Sequence, residues 1–243
     1  MKPVNLYGLT RKQALGILDR IAAQKNRDSG VIALAATALR SCRPSKTCKS
    51  PLCPDYLHRK YIVPIHGDLT SAFSDVAVRS LRRVHLRIPG LVPGDHRFRR
   101  CLLQLREAVA EFTEAGTPFH AVVGSYVGLV HPTYKHAAIK DDAGFQIVLR
   151  LLCVVHSEID AKELDRQWRP LVLQKHVTPH GPWARKEPLV TIFPVHSTAG
   201  GIDLVSRMKS PLPRNLADIP TEAIIEAFGY PRLLFHLYGH KTL

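Results

Sequence analysis

Residues 145–155 read Phe145-Gln-Ile-Val-Leu-Arg-Leu-Leu-Cys-Val-Val155. Only Gln146 and Arg150 interrupt an otherwise apolar run, and Asp141-Asp-Ala-Gly144 punctuates its start. A short, β-branched run bounded by turn residues predicts a strand that is apolar on both faces. Residues 121–130 (Ala-Val-Val-Gly-Ser-Tyr-Val-Gly-Leu-Val) predict a second strand, with a loop containing His131-Pro132 between the two. Further upstream, Phe98, Cys101, Leu102, Leu105, Val109 and Phe112 recur at helical spacing, and Gly116 ends the pattern. Val84, Leu86 and Ile88 alternate with His85 and Arg87 before Pro89-Gly90, which predicts a half-buried strand.

On the C-terminal side, residues 160–173 predict a helix carrying Trp168. Residues 189–195 predict a strand that Pro194 confines to an edge or an end. From 84 to 195 the order is β-α-β-β-α-β. The expected fold class is therefore α+β, a ferredoxin-like antiparallel sheet with helices on one face. A short helix over 220–228 and a strand over 232–238 extend it. An N-terminal segment over 1–65 precedes the 66–243 domain, with helices expected at 10–24 and 30–40. The Pro- and Ser-rich stretch from Cys42 to His58 then predicts a loop or knuckle.

Charge is the main guide to function. The chain has 34 Lys plus Arg against 20 Asp plus Glu, a net charge of +14, and a pI of about 9.9. Such an excess attracts phosphate backbones and predicts salt-dependent nucleic-acid binding. The basic residues form groups. Arg79, Arg82, Arg83 and Arg87 flank the first strand, and Arg97, Arg99 and Arg100 open the following helix. Lys46, Lys49, Arg59 and Lys60 surround the cysteine loop, where Tyr56 and Tyr61 would stack on bases.

No uncharged apolar stretch reaches the ~18 residues of a membrane span. The start lacks the apolar core of a signal peptide, so a cytoplasmic, reducing location is expected. The five cysteines fit that location better than a disulfide framework. Cys42, Cys48 and Cys53 are spaced C-x5-C and C-x4-C, with His58 beyond. Three thiolates and an imidazole satisfy a tetrahedral structural zinc ion. Cys101 and Cys153 sit in apolar patterns and read as small core residues. There is no His-Glu-x-x-His helix, no Gly-x-Ser-x-Gly elbow and no glycine-rich phosphate loop, which argues against the enzyme classes that use them.

Several strings together resemble the rolling-circle replication initiators and related transposases, the HUH nucleases. They are Cys48-Lys-Ser-Pro-Leu-Cys53-Pro-Asp-Tyr56, Gly124-Ser-Tyr-Val-Gly-Leu-Val-His131, Phe145–Cys153, Asp165-Arg-Gln-Trp-Arg169, Val190–Val195, Ile202–Ser210 and Phe228–Gly239. The resemblance implies single-stranded or hairpin DNA as partner, and a place in the replication of plasmids or other mobile elements. It also implies two metal-binding histidines where Val148 and Arg150 stand, and a metal-binding glutamate where Val130 stands. The helix over 202–210 would carry the nucleophilic tyrosine and has none. Val and Arg hold no divalent cation, and Leu or Val forms no phosphotyrosyl link. The expectation is a nucleic-acid-binding protein without nicking activity, with Arg150 as a fixed cation for a phosphate. Two rival expectations stand beside it. One is an active nuclease with relocated ligands among His120, His131, His136, His156, Asp141 and Asp142. The other is a basic scaffold for an acidic protein.

Overall fold

The computed structural model describes residues 58–135, 143–174, 187–206 and 236–239, with 36–43 and the single positions 12, 15, 16, 19, 23, 48, 53 and 56 ahead of them. The strands are β1 (Leu81–Arg87), β2 (Val123–Lys135), β3 (Gly144–Val155), β4 (Val190–Pro194) and β5 (Tyr238–Gly239). They form one antiparallel sheet in the order β4-β1-β3-β2-β5. The helices are α1 (Val63–Phe73), α2 (His96–Phe112), α3 (Pro118–Val122), α4 (Ala161–Gln174) and α5 (Thr198–Ser206). The fold class is α+β, as expected. The order over β1 to β4 is strand, helix, strand, strand, helix, strand, with the short α3 added before β2.

Strand β3 explains its own composition. It lies between β1 and β2, and elements cover both of its faces. A strand enclosed in this way reads as a nearly continuous apolar run. Helix α2 starts where Asp95 accepts a hydrogen bond from the Arg97 backbone N–H. Its stripe of Phe98, Cys101, Leu102, Leu105, Val109 and Phe112 is buried, as the periodicity predicted. Gly116 follows the helix at φ 89°, a left-handed conformation that glycine adopts without strain. Helix α4 lies beside α2. Its Trp168 is fully buried, stacks edge-on against Phe112, and donates its indole N–H to the Arg87 carbonyl at 2.8 Å.

Four features differ from the expectations. First, β2 continues through His131–Lys135, where a loop was expected. Pro132 lies opposite Ile147, whose carbonyl accepts from Ile88 on the other side of β3. No N–H is therefore required of Pro132 toward β3, where the missing donor would otherwise break the ladder. Second, helix α1 was not expected. Ile65, Leu69 and Phe73 at four-residue steps carry it and are buried, and it crosses the boundary placed at 65/66. Third, α3 replaces the start of the second strand, because the Thr117 side chain caps the His120 N–H and Pro118 follows directly. Fourth, helices lie on both faces: α2, α3 and α4 on one, and α5 on the other. The expected strand end at 232–235 and the helix at 220–228 lie outside the described residues. The described positions within 10–24 and 30–40 are helical.

A candidate nucleic-acid interface on the second face of the sheet

Side chains alternate across a strand, so one register sorts the sheet into two surfaces. Val84, Leu86, Leu149 and Leu151 point toward α2 and α4 and are fully buried. The residues between them point the other way. Arg83 lies opposite Leu152 and Phe193, His85 opposite Arg150 and Thr191, and Arg87 opposite Val148. On β2, His131 lies opposite Val148. The second face therefore gathers Arg83, His85, Arg87, Arg150 and His131.

Helix α5 covers part of this face. Gly201 lets it come close: a Cβ there would lie 3.0 Å from Val195 Cγ1 and 3.1 Å from Leu152 Cδ1. Arg150 Nη1 donates to the Leu204 carbonyl at 3.4 Å, and His131 Nε2 lies 2.9 Å from the Val205 carbonyl. Both contacts fall on the last turn of α5, where the helix dipole favours donors and positive charge.

The remaining polar atoms are left over. Seven of the eight buried side-chain atoms without a hydrogen-bond partner among the described residues belong to this face. They are Arg83 Nε, His85 Nε2, Arg87 Nε, Arg150 Nε, His131 Nδ1, Ser125 Oγ and Thr191 Oγ1. No ion pair among the described residues joins a carboxylate to Arg83, Arg87 or Arg150. Buried polar groups are normally satisfied, so such a concentration marks a surface built for something other than stability.

Electrostatics agree with the geometry. Burial, and then the positive charges of Arg150, Arg83 and Arg87, push His85 down to about 3. Burial first, then Arg150, push His131 down to about 3 as well, against the raising effect of the Val205 carbonyl. Burial also lowers Arg83, and burial followed by Arg83 lowers Arg150. Each of these shifts reflects positive charge or burial without a compensating anion.

The other basic residues are placed differently. Arg79 is exposed on a turn, and Arg82 Nη1 donates to the carbonyls of Arg79 and Leu81. Arg97 is held by Asp95 in a paired contact of 2.7–2.9 Å. Arg99 and Arg100 are exposed on α2, on the far side of the sheet. Arg59 and Lys60 are exposed on a π-helical turn over His58–Ile62. Lys60 Nζ donates to the Tyr56 hydroxyl at 2.6 Å and lies 5.1 and 5.5 Å from the Tyr56 and Tyr61 ring centres. Both rings are thus engaged by a cation rather than presented bare to a base. Lys46 and Lys49 lie outside the described residues. Sequence reasoning found Arg83, Arg87 and Arg150, offered His131 only as a relocated nuclease ligand, and missed His85, Thr191 and Phe193. The alternation in Arg83-Val-His-Leu-Arg87 was the available signal.

The cysteine cluster forms a separate site. Cys42, Cys48 and Cys53 place their sulfur atoms within 4.8 Å of one another, and Cys42 Sγ lies 3.5 Å from Cys53 Sγ. This arrangement can hold a metal ion. A backbone hydrogen bond from Tyr56 favours the Cys53 thiolate, although burial and the neighbouring thiols push Cys53 up to about 12. The side chain of His58 lies outside the described residues.

The positions matched by resemblance separate in space. Val148 and Arg150 share the second face, but Val130 pairs with Leu149 and points into the packed face. The β2 neighbours on the face of Val148 and Arg150 are Leu129 and His131. Of the relocated nuclease ligands, His120 and His156 are exposed and apart from the others, and His136, Asp141 and Asp142 lie outside the described residues. Among the described residues, the cysteine cluster is the only group of three or more side chains arranged to hold a metal. No protein-family model matches the chain, and no curated protein or solved structure matches it either.

Proposed function

We propose that this chain is a nucleic-acid-binding protein whose contact surface is the second face of its sheet, and that it holds a phosphodiester backbone without cutting it. The observation that carries this reading is the set of Arg83, Arg87 and Arg150, gathered on one face with no carboxylate partner among the described residues. Guanidinium groups match phosphate oxygens in charge and fork geometry. His85 and His131 add imidazoles that burial and the neighbouring guanidinium charges hold neutral. The reading leaves DNA replication of a mobile element as the setting implied by the resemblance, with single-stranded or hairpin DNA as partner.

The test is fluorescence anisotropy with single-stranded and hairpin DNA over a salt series, with and without Mn²⁺, with the products run on a denaturing gel. The expected result is binding that weakens as salt rises, with the DNA intact. Cut or protein-linked DNA would favour an active nuclease. Binding only to an acidic protein would favour a scaffold.

The metal at the cysteine cluster is proposed to be structural zinc. Tetrahedral Zn–S bonds of ~2.3 Å place the sulfur atoms on the order of 3.8 Å apart, which the cluster matches with little movement. Metal analysis of the purified chain should give one zinc per molecule, and Cys42→Ser with Cys53→Ser should abolish it. A full zinc content in that double variant would place the metal elsewhere.

A further inference from the structure

A groove of about 420 Å³ opens where the end of β4 meets α5, directly beside the cationic face. Its lining includes Phe193, Pro194, Val195 and Leu204, with Arg83, His196 and Ser197 as its polar members. The volume falls within the range of ~300–1,000 Å³ typical of small-ligand sites. Gly200 and Gly201 add no side chains to the first turn of its α5 wall, and Leu204, one turn on, is 48 % exposed at its rim.

We propose that this groove is a nucleotide site: it takes one unpaired base of a strand whose phosphate rests on Arg83. The proposal rests on the reading of the second face as a nucleic-acid surface and adds the class of ligand. The groove sets a guanidinium beside apolar surface, the two features that a phosphate and a base each need. Arg83 lies opposite Phe193 in the register, and its guanidinium carbon is 4.6 Å from the Phe193 ring centre. That contact holds the guanidinium over the ring, and its buried Nε has no hydrogen-bond partner among the described residues. The Phe193 ring also lies 4.8 Å from the His85 ring, which ties the groove to the cationic face. Leu204 links the two regions from the other side, because its side chain lines the groove while its carbonyl accepts from Arg150. An unpaired base would bury its apolar faces against Phe193, Pro194 and Leu204. Bases stacked inside a duplex cannot enter such a groove without leaving the stack.

The experiment compares binding of the full chain to a thymidine oligomer carrying one 2-aminopurine and to a duplex of the same length. Wild type is measured beside Leu204→Ala, Phe193→Leu, Phe193→Ala and Arg150→Leu. The expected result is a single-strand preference with quenched 2-aminopurine, and a loss of about tenfold in single-strand affinity for Leu204→Ala and Phe193→Ala. Duplex affinity should fall by less than single-strand affinity in both, and Phe193→Leu should fold normally and lose less. Binding that Arg150→Leu weakens, but with equal affinity for both oligonucleotides and an unquenched probe, would overturn the nucleotide site while leaving the cationic face intact. The absence of salt-dependent binding to either oligonucleotide would overturn both.

Discussion

The two faces of the central sheet are made by alternate residues of the same strands, yet they have opposite chemistry. Along β1, Val84 and Leu86 are fully buried against the α2–α4 layer, while Arg83, His85 and Arg87 on the reverse side carry buried atoms without partners among the described residues. Along β3, Leu149 and Leu151 belong to the packed face, and Val148 and Arg150 to the other. The packed face spends its residues on apolar burial, the dominant favourable contribution to folding. The second face places desolvated guanidinium and imidazole groups where leucine or valine would stabilise the sheet better. A fold can carry such a face because the first supplies enough stability, and residues that lower stability without need are the ones to suspect of function.

This contrast can be broken most severely on the packed side. Trp168→Ala should cost about 3–5 kcal/mol, because it empties a fully buried site and strands the Arg87 carbonyl. Chemical denaturation would measure it. A cost under about 1 kcal/mol would mean that α4 does not anchor the sheet.

A pH titration should sharpen the contrast at intermediate size. His85 and His131 stand at about 3 in the folded chain, below their ordinary value of 6.5. The unfolded chain therefore binds more protons between those limits. Their contribution to stability is fully present above pH 6.5 and falls as the pH drops toward 3. The slope should be on the order of 1 kcal/mol per pH unit for each histidine. His85→Gln with His131→Gln should flatten the slope over that window. An unchanged slope would show that these imidazoles are not held neutral.

The smallest expected stability effect has the opposite sign. Arg87→Leu should leave the fold intact and raise its stability by about 1 kcal/mol, since a buried atom without a partner is replaced by apolar contact. Thermal unfolding would check it, and a clear loss of stability would mean that Arg87 has a structural partner.

Much of this was legible in the sequence. The apolar run 145–155, the helical stripe from Phe98 to Phe112 and the alternation of 84–88 led to the central strands, to α2 and to the α+β class. Local punctuation misled at two places. Pro132 reads as a loop residue, but its position opposite Ile147 requires no N–H toward β3. Pro118 begins a helical turn where the apolar run alone suggested strand. The site was only partly legible. Arg83, Arg87 and Arg150 stood out as charge, but their shared face depends on the pairing of β1 with β3, which composition does not encode. Arg97 looked equivalent until the fold placed it on Asp95. His85 and Phe193 carried no motif, and they acquire meaning, as His131 does, only through their neighbours across the strands.

The most direct test of the account is the double variant Arg83→Leu, Arg150→Leu, measured for both thermal stability and single-stranded DNA affinity in low salt. The account predicts a chain at least as stable as wild type that binds at least tenfold more weakly, with a shallower dependence on salt. A double variant that keeps wild-type affinity, while removal of Arg99 and Arg100 on α2 abolishes it, would place the interface on the other side of the molecule and contradict the account.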